Sequence, residues 1–175
     1  MEENSYESEK YMSLRKFSDI KIPIQSELPR KRIQIVETRL VRKTSILYDR
    51  RTISNPAYAA ELGKELFEEY DKEYVYAVYV TARCEPIAIE LVSIGSLDYA
   101  VMSSRDIVKT ALLCGAQGVI AYHNHPSGGN INPSQQDINS TKRLNEACNL
   151  LGVKLIDHIS ISDVGYISLK EQGII

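Results

Sequence analysis

A short run of apolar residues, Gly118 to Tyr122, is the feature that most constrains the fold of this chain. A strand with no alternating polar residues is buried on both faces, and such strands occur inside sheets that are covered by helices. Helical patterns flank the run, from Arg105 to Cys114 and from Ser134 to Leu151. The sequence therefore predicts an α/β (α+β) fold in which helices pack against a mixed β-sheet.

Further helix and strand signals complete this layering. Asn55-Pro56 predicts the start of another helix, because an N-cap residue is followed by proline at the first helical position. Gly115 and Gly152 stand where the two later helices should end in a left-handed cap. The predicted order is β, α, β, β, α, β, α, β, β. Besides residues 118–122, the predicted strands are residues 32–41, 74–82, 87–93, 153–162 and 164–169.

Length and composition favour an ordinary intracellular protein. The chain has 175 residues, a formal charge of −2 and three cysteines with no C-x-x-C pair, so a disulfide framework is not indicated. Its first residues are acidic and no apolar run reaches membrane-spanning length, so we expect no membrane insertion and a cytoplasmic location. The expected organisation is an N-terminal tail with a basic strand over residues 1–51, followed by one domain over 52–175.

A basic segment precedes that domain. Its positive charge has two interpretations: a contact for nucleic acid or an acidic partner, or an edge strand kept soluble and unpaired by charge. The second interpretation is the one we favour. The basic residues are Arg30, Lys31, Arg32, Arg39, Arg42, Lys43, Arg50 and Arg51.

Two histidines follow the apolar run, and a helix with a polar start follows them. His123 and His125 are two residues apart in an extended backbone, so their side chains share a face. Ser134 and Asp137 share a face at the start of the next helix, where they predict either a capping box or a carboxylate aimed at the histidines. Two imidazoles and one carboxylate form a three-ligand Zn²⁺ set with a fourth position open for water.

Two more residues have polar groups inside apolar strand patterns. Glu90 lies in the strand at residues 87–93, so its carboxylate belongs either at the sheet margin, which we favour, or in a cleft beside a cation. His158 follows Asp157 in another strand, and a structural or supporting role is favoured over metal ligation.

Cys114 and Cys148 fall in helix patterns, so buried thiols are expected rather than a nucleophile.

Several segments of the sequence resemble the RadC family, whose members hold a JAMM-type zinc site of the MPN-domain kind. The matching segments are Ile89 to Leu97 (IELVSIGSL), Ser104 to Val108 (SRDIV), His123 to Gly128 (HNHPSG), Pro133-Ser134 with Asp137, and Leu155 to Ile159 (LIDHI). The resemblance covers about residues 52–175 and implies a JAMM/cytidine-deaminase-like layering. One departure is the spacing: eight residues separate His125 from Ser134, where the JAMM pattern usually has seven.

The resemblance also implies residue roles. His123, His125 and Asp137 match the zinc ligands, Ser134 matches the serine that donates to the oxyanion, and Glu90 occupies the place of the glutamate that handles the proton of the water. The implied reaction is hydrolysis of a peptide or isopeptide-like bond in a peptide or protein substrate. Residues 1–51 show no helix-hairpin-helix pattern of the kind that many family members use for DNA.

Two hypotheses of different classes follow. The first is a zinc-dependent hydrolase of the RadC/JAMM type. The alternative is a catalytically weak, metal-stabilised binding module that is associated with DNA repair or a DNA-bound complex through the basic segment.

Overall fold

The computed structural model describes residues 31–67, 71–95, 101–126 and 131–175. The chain divides into two compact units, Met1–Glu37 and Thr38–Ile175. Residues 31–37, the described part of the first unit, contain no helix or strand. The second unit contains, among its described residues, three helices and one five-stranded sheet.

The elements of the second unit follow the predicted alternation. The helices are α1 (Pro56–Leu66), α2 (Ser104–Leu113) and α3 (Gln135–Leu150). The strands are β1 (Tyr74–Val80), β2 (Pro86–Ile94), β3 (Gly118–Asn124), β4 (Lys154–Ser162) and β5 (Gly165–Ser168). The sheet order is β2-β1-β3-β4-β5, with β3 and β4 parallel and the other neighbours antiparallel. The predicted α/β fold with a mixed sheet is confirmed.

The local signals at the helix ends are also present in the structure. Asn55 caps α1, since its side-chain oxygen accepts a hydrogen bond from the Tyr58 amide at 2.9 Å. Ser103 caps α2 in the same way. Gly115 and Gly152 adopt φ values of 67° and 70°, the left-handed conformation that glycine tolerates best.

Helices cover both faces of the sheet. The α1 face buries apolar side chains from β1, β3 and β4, including Val78, Ile120 and Ile159. The opposite face, covered by α2 and α3, buries a second cluster that includes Tyr79 and Leu144. Because β3 lies between β1 and β4 with every residue buried, the predicted internal position of the run from Gly118 is confirmed.

Helix α1 packs closely against the sheet at Gly63. A Cβ atom added at this position would lie 2.2 Å from Ile161 Cδ1 and 2.9 Å from Tyr122 Cδ1. Both distances are far below van der Waals contact, so the absence of a side chain at Gly63 is what lets the helix pack here.

The strand predicted at residues 32–41 is wrong, because residues 31–50 contain no strand. Its apolar alternation, Ile33 and Ile35, breaks at Val36, so no continuous face is available to bury. Further along, Val41 is 80% exposed and Leu47 is 94% exposed. Without a buried face, a strand does not recover the cost of ordering its backbone.

Two of the basic residues near the domain start form ion pairs. Arg50 Nε lies 2.7 Å from a Glu61 carboxylate oxygen, and its guanidinium also stacks over the Tyr58 ring. Arg51 Nε lies 2.9 Å from a carboxylate oxygen of Glu85. These pairs join the segment before α1 to the helix and to the β1–β2 turn, so part of the positive charge is balanced within the molecule.

Candidate metal centre

The two histidines of the sequence motif meet at the end of β3. His123 is only 5% exposed, and His125 follows the strand with its backbone N–H donating to the carbonyl of Ile161 at 2.8 Å. Their Nε2 atoms lie 2.9 Å apart. The same face of the chain therefore presents two imidazole nitrogens to one point, as the two-residue spacing predicts.

The start of α3 brings a carboxylate to that point. Ser134 and Asp137 form a complete capping box: Asp137 Oδ2 accepts from the Ser134 amide at 2.8 Å, and Ser134 Oγ accepts from the Asp137 amide at 3.1 Å. The same Oδ2 lies 3.9 Å from His123 Nε2. The two interpretations of Ser134 and Asp137, a capping box and a carboxylate aimed at the histidines, are therefore compatible. The capping box itself orients the Asp137 carboxylate toward the histidines.

The resulting donor set fits a metal ion. One ligand atom from each of His123, His125 and Asp137 lies within 4.8 Å of the other two. A tetrahedral ion with bonds of about 2.1 Å holds its ligands about 3.4 Å apart, and the 2.9 and 3.9 Å separations bracket that value. The extra residue between His125 and Ser134 thus does not remove the carboxylate from the histidines.

Burial keeps these imidazoles neutral. It lowers the pKa of His123 from 6.5 to about 4, against the opposing pull of the Asp137 carboxylate. Burial also lowers the pKa of His125 and of His158, again against Asp137 in the case of His125. A neutral imidazole has one nitrogen with a free lone pair, so each of the three rings can accept a hydrogen bond or bind a cation near pH 7.

A third histidine stands directly behind His123. His158 Nε2 lies 2.7 Å from His123 Nδ1, and His158 Nδ1 lies 2.7 Å from Thr141 Oγ1. The contact arises because β3 and β4 are parallel neighbours and α3 packs over them. His158 is therefore a supporting residue rather than a member of the three-ligand cluster, as the sequence favours.

The sequence interpretation missed Glu73. A small cleft is lined by His123, His158 and Asp137 together with Glu73, Val75, Met102, Gln136 and Ser140. Val75 is the β1 partner of His123, and Glu73 precedes it by two residues, one strand repeat further along. The signal was a carboxylate immediately before a strand, but only the strand register shows that this strand end meets the histidines.

Asn124, the residue between the two histidines, fixes the backbone on both sides of Glu73. Its Oδ1 accepts from the Tyr74 amide at 2.6 Å, and its Nδ2 donates to the Lys72 carbonyl at 2.9 Å. The Glu73 carbonyl itself accepts from the Gly95 amide at 2.7 Å. Asn124 is 5% exposed, so these bonds form out of water and hold the strand entry firmly.

Glu90, the other predicted catalytic residue, lies elsewhere. It is on the edge strand β2 opposite Ala77, so β1 separates it from His123 on β3. The Tyr79 hydroxyl donates to its carboxylate, and burial, followed by this bond, raises the pKa of Tyr79. The structure brings together His123, His125, Asp137 and Ser134, but Glu90 is not among the residues that line their cleft.

Comparison with known proteins is consistent with this geometry. A family model, the RadC-like JAB domain, matches residues 53–174. A UPF0758 protein of Clostridium acetobutylicum is 40% identical over 123 residues, which are 70% of this chain and 53% of the relative. UPF0758 proteins of Shouchella clausii and Methanosarcina mazei are 40% and 37% identical over 135 and 133 residues, covering 77% and 76% of this chain and 57% and 58% of those relatives.

The chain thus spans little more than half the length of these relatives, and their names state no reaction. Within the part of the chain that the structure describes, no helix is long and apolar enough to cross a bilayer.

Proposed function

The chain belongs to the RadC family, and from that premise we propose that it is a zinc-dependent hydrolase of peptide or isopeptide-like bonds. One observation carries the proposal: two neutral imidazoles and a carboxylate converge on one point beside a cleft. A two-histidine, one-carboxylate set leaves the fourth zinc position free, as catalytic zinc sites require. When bound, zinc would supply Lewis acidity and a water of lowered pKa.

The chain must also supply a base that takes a proton from the attacking water and delivers it to the leaving amine. The resemblance to the family points to Glu90 for this role. The structure supports Glu73 instead, since Glu73 is one of the residues that line the cleft and Asn124 fixes the backbone on both sides of it. We therefore propose Glu73 as the proton carrier, with Glu90 as the alternative that the same experiment tests.

Ser134 is proposed to donate to the developing oxyanion. Its Oγ–H now donates to Asp137 Oδ2 at 2.6 Å. To serve a substrate oxygen, the hydroxyl has to rotate away from Asp137, a change about one bond that leaves the helix cap amides in place.

The test combines metal analysis with hydrolysis. Protein purified without chelator should contain one zinc per chain, and His123→Ala and Asp137→Asn should lose it. A set of internally quenched peptides, including one linked through a lysine side-chain amide, provides the substrate. Glu73→Gln should keep zinc and lose at least 100-fold in turnover, within the range typical of a general base. Glu90→Gln is the matched control on the neighbouring strand.

Each result of this test decides something. Loss of turnover in Glu90→Gln but not in Glu73→Gln would reverse the assignment of the base. Zinc without hydrolysis in any peptide would favour the alternative, a metal-stabilised binding module. No bound metal in the wild-type protein would refute the hydrolase.

The second candidate function is association with DNA. The observation that favours it is the segment before α1, where Arg42 and Lys43 are exposed and belong to no helix or strand. Each charge that contacts phosphate contributes about 0.9 to the slope of log affinity against log salt. A labelled duplex titrated over a salt series should therefore lose close to two units of slope with Arg42→Gln/Lys43→Gln and none with Arg50→Gln, whose guanidinium is paired with Glu61.

We further propose that the protein acts in the cytoplasm. All three cysteines are free thiols, and burial raises the pKa of Cys148 to about 11, which keeps that thiol protonated and unreactive. This thiol chemistry fits a reducing compartment.

A further inference from the structure

A continuous chain of hydrogen bonds runs from His123 to the backbone of α3. It passes from His123 Nδ1 to His158 Nε2 at 2.7 Å, and from His158 Nδ1 to Thr141 Oγ1 at 2.7 Å. Thr141 Oγ1 in turn lies 2.6 Å from the Asp137 carbonyl oxygen. His158 and Thr141 are 1% and 0% exposed, so water does not compete for any of these contacts.

The carbonyl end fixes the direction of every bond in the chain. A carbonyl oxygen only accepts, so the single hydroxyl proton of Thr141 points to Asp137. Thr141 Oγ1 must then accept from His158, which puts the proton of that ring on Nδ1. His158 Nε2 is left as an acceptor, and it receives the Nδ1 proton of His123.

The consequence falls on the ring nitrogen that faces the cluster. A neutral His123 with its proton on Nδ1 has a lone pair on Nε2, the atom that lies 2.9 Å from His125 Nε2 and 3.9 Å from Asp137 Oδ2. If the hydrogen bonds between His123, His158 and Thr141 ran in the opposite direction, the proton of His123 would be on Nε2, and this nitrogen could not bind a cation. The tautomer of His123 therefore decides whether the cluster can hold a metal.

We propose that Thr141 and His158 are positioning residues that hold His123 in its Nδ1-protonated tautomer and thereby set its affinity for zinc. The inference rests on the proposed metal site, but the tautomer itself does not depend on a bound ion. We call this chain of hydrogen bonds, from Thr141 through His158 to His123, the relay. Helix α3 supplies both the Asp137 side chain and Thr141, where the relay is anchored, so one element orients two members of the cluster.

The tautomers can be read directly by NMR. In chelator-treated protein labelled with ¹⁵N-histidine, long-range ¹H–¹⁵N spectra at pH 7.5 distinguish a protonated from an unprotonated nitrogen in each ring. We expect Nδ1 protonated and Nε2 unprotonated in both His123 and His158, with each ring assigned by its substitution to glutamine. An Nε2-protonated His158 would overturn the proposal.

Zinc affinity gives the second measurement, by competition with a chromophoric chelator. Thr141→Val keeps the shape of the side chain but removes the oxygen that accepts from His158. Zinc affinity should then fall by about 10- to 100-fold, the usual loss when a partner of a metal-binding histidine is removed. Thr141→Ser keeps the hydroxyl, so its zinc affinity should match that of the wild-type protein. Thr110→Val, which changes a buried threonine of α2 away from the cluster, is the control and should stay within about twofold of the wild-type protein.

The outcomes separate this inference from the proposed function. If Thr141→Val folds and binds zinc as tightly as the wild-type protein, the relay has no positioning role. If the wild-type protein binds zinc tightly but hydrolyses nothing, the hydrolase fails and the relay stands. If Thr141→Val does not fold, the wild-type NMR spectrum still decides the question.

Discussion

Acidification should unfold this protein through its buried histidines. Burial lowers the pKa of His123 from 6.5 to about 4 and also lowers the pKa of His158 and His125. In the unfolded chain these rings are hydrated and titrate near their ordinary value. Between pH 6.5 and 4 the unfolded chain therefore binds more protons than the fold, so the free energy of unfolding must fall as the pH falls.

The magnitude follows from the size of the shift. A pKa lowered from 6.5 to about 4 corresponds to about 3 kcal/mol for His123 alone. This stability is fully present above pH 6.5 and is lost progressively toward pH 4. Because a small domain has only about 5–15 kcal/mol in total, the effect should be easy to detect.

Urea unfolding of chelator-treated protein at half-unit steps from pH 7.5 to 4.5 measures this dependence. Far-UV circular dichroism is the suitable signal, since the chain has no tryptophan. His123→Gln removes one titrating ring, and subtracting its curve cancels the carboxylates common to both proteins. Parallel curves for the two proteins across this range would refute the reasoning, because they would show that His123 takes up no extra proton on unfolding.

Three further substitutions test other parts of the structure, each by urea unfolding. Asn124→Ala removes the two hydrogen bonds that the Asn124 side chain makes with the Tyr74 amide and the Lys72 carbonyl, so it should cost about 1–3 kcal/mol in total; a loss under 0.5 kcal/mol would contradict the bridging role. Gly63→Ala should destabilise by about 1–3 kcal/mol because its Cβ collides with the sheet, and a stabilised variant would show that helix propensity outweighs the collision. Ser134→Ala should cost about 1 kcal/mol as a lost N-cap and also weaken zinc binding, whereas unchanged zinc affinity would show that the cap does not orient Asp137.

Local chemistry made much of this fold predictable. Asn55, Ser103 and Ser134 each start a helix because a side-chain oxygen satisfies an amide that the helix leaves unpaired. The apolar run from Gly118 becomes the fully buried strand because no polar side chain opposes burial. The spacings of His123 with His125 and of Ser134 with Asp137 each fix a shared face, but they left open whether the two faces meet, and only the family resemblance pointed to that.

What escaped prediction depends on register and on partners distant in sequence. Glu73 reaches the cleft only because Val75 pairs with His123, and a pairing between strands about 50 residues apart leaves no trace in either strand. The contact between His123 and His158 likewise follows from the parallel pairing of β3 with β4. The strand wrongly predicted at residues 32–41 shows the opposite error, in which apolar residues without a neighbouring strand were taken as sufficient.

Because β4 follows α3 along the chain, translation supplies the three-residue cluster before the strand that supports it. His123, His125 and Asp137 are all synthesised before β4, and a nascent chain that stops at the end of α3 has these three side chains but not His158. Until β4 is synthesised, β3 lacks one of its two neighbours in the sheet. A chain that stops before β4 is therefore expected to bind zinc more weakly than one that includes it, because His123 then lacks its His158 partner.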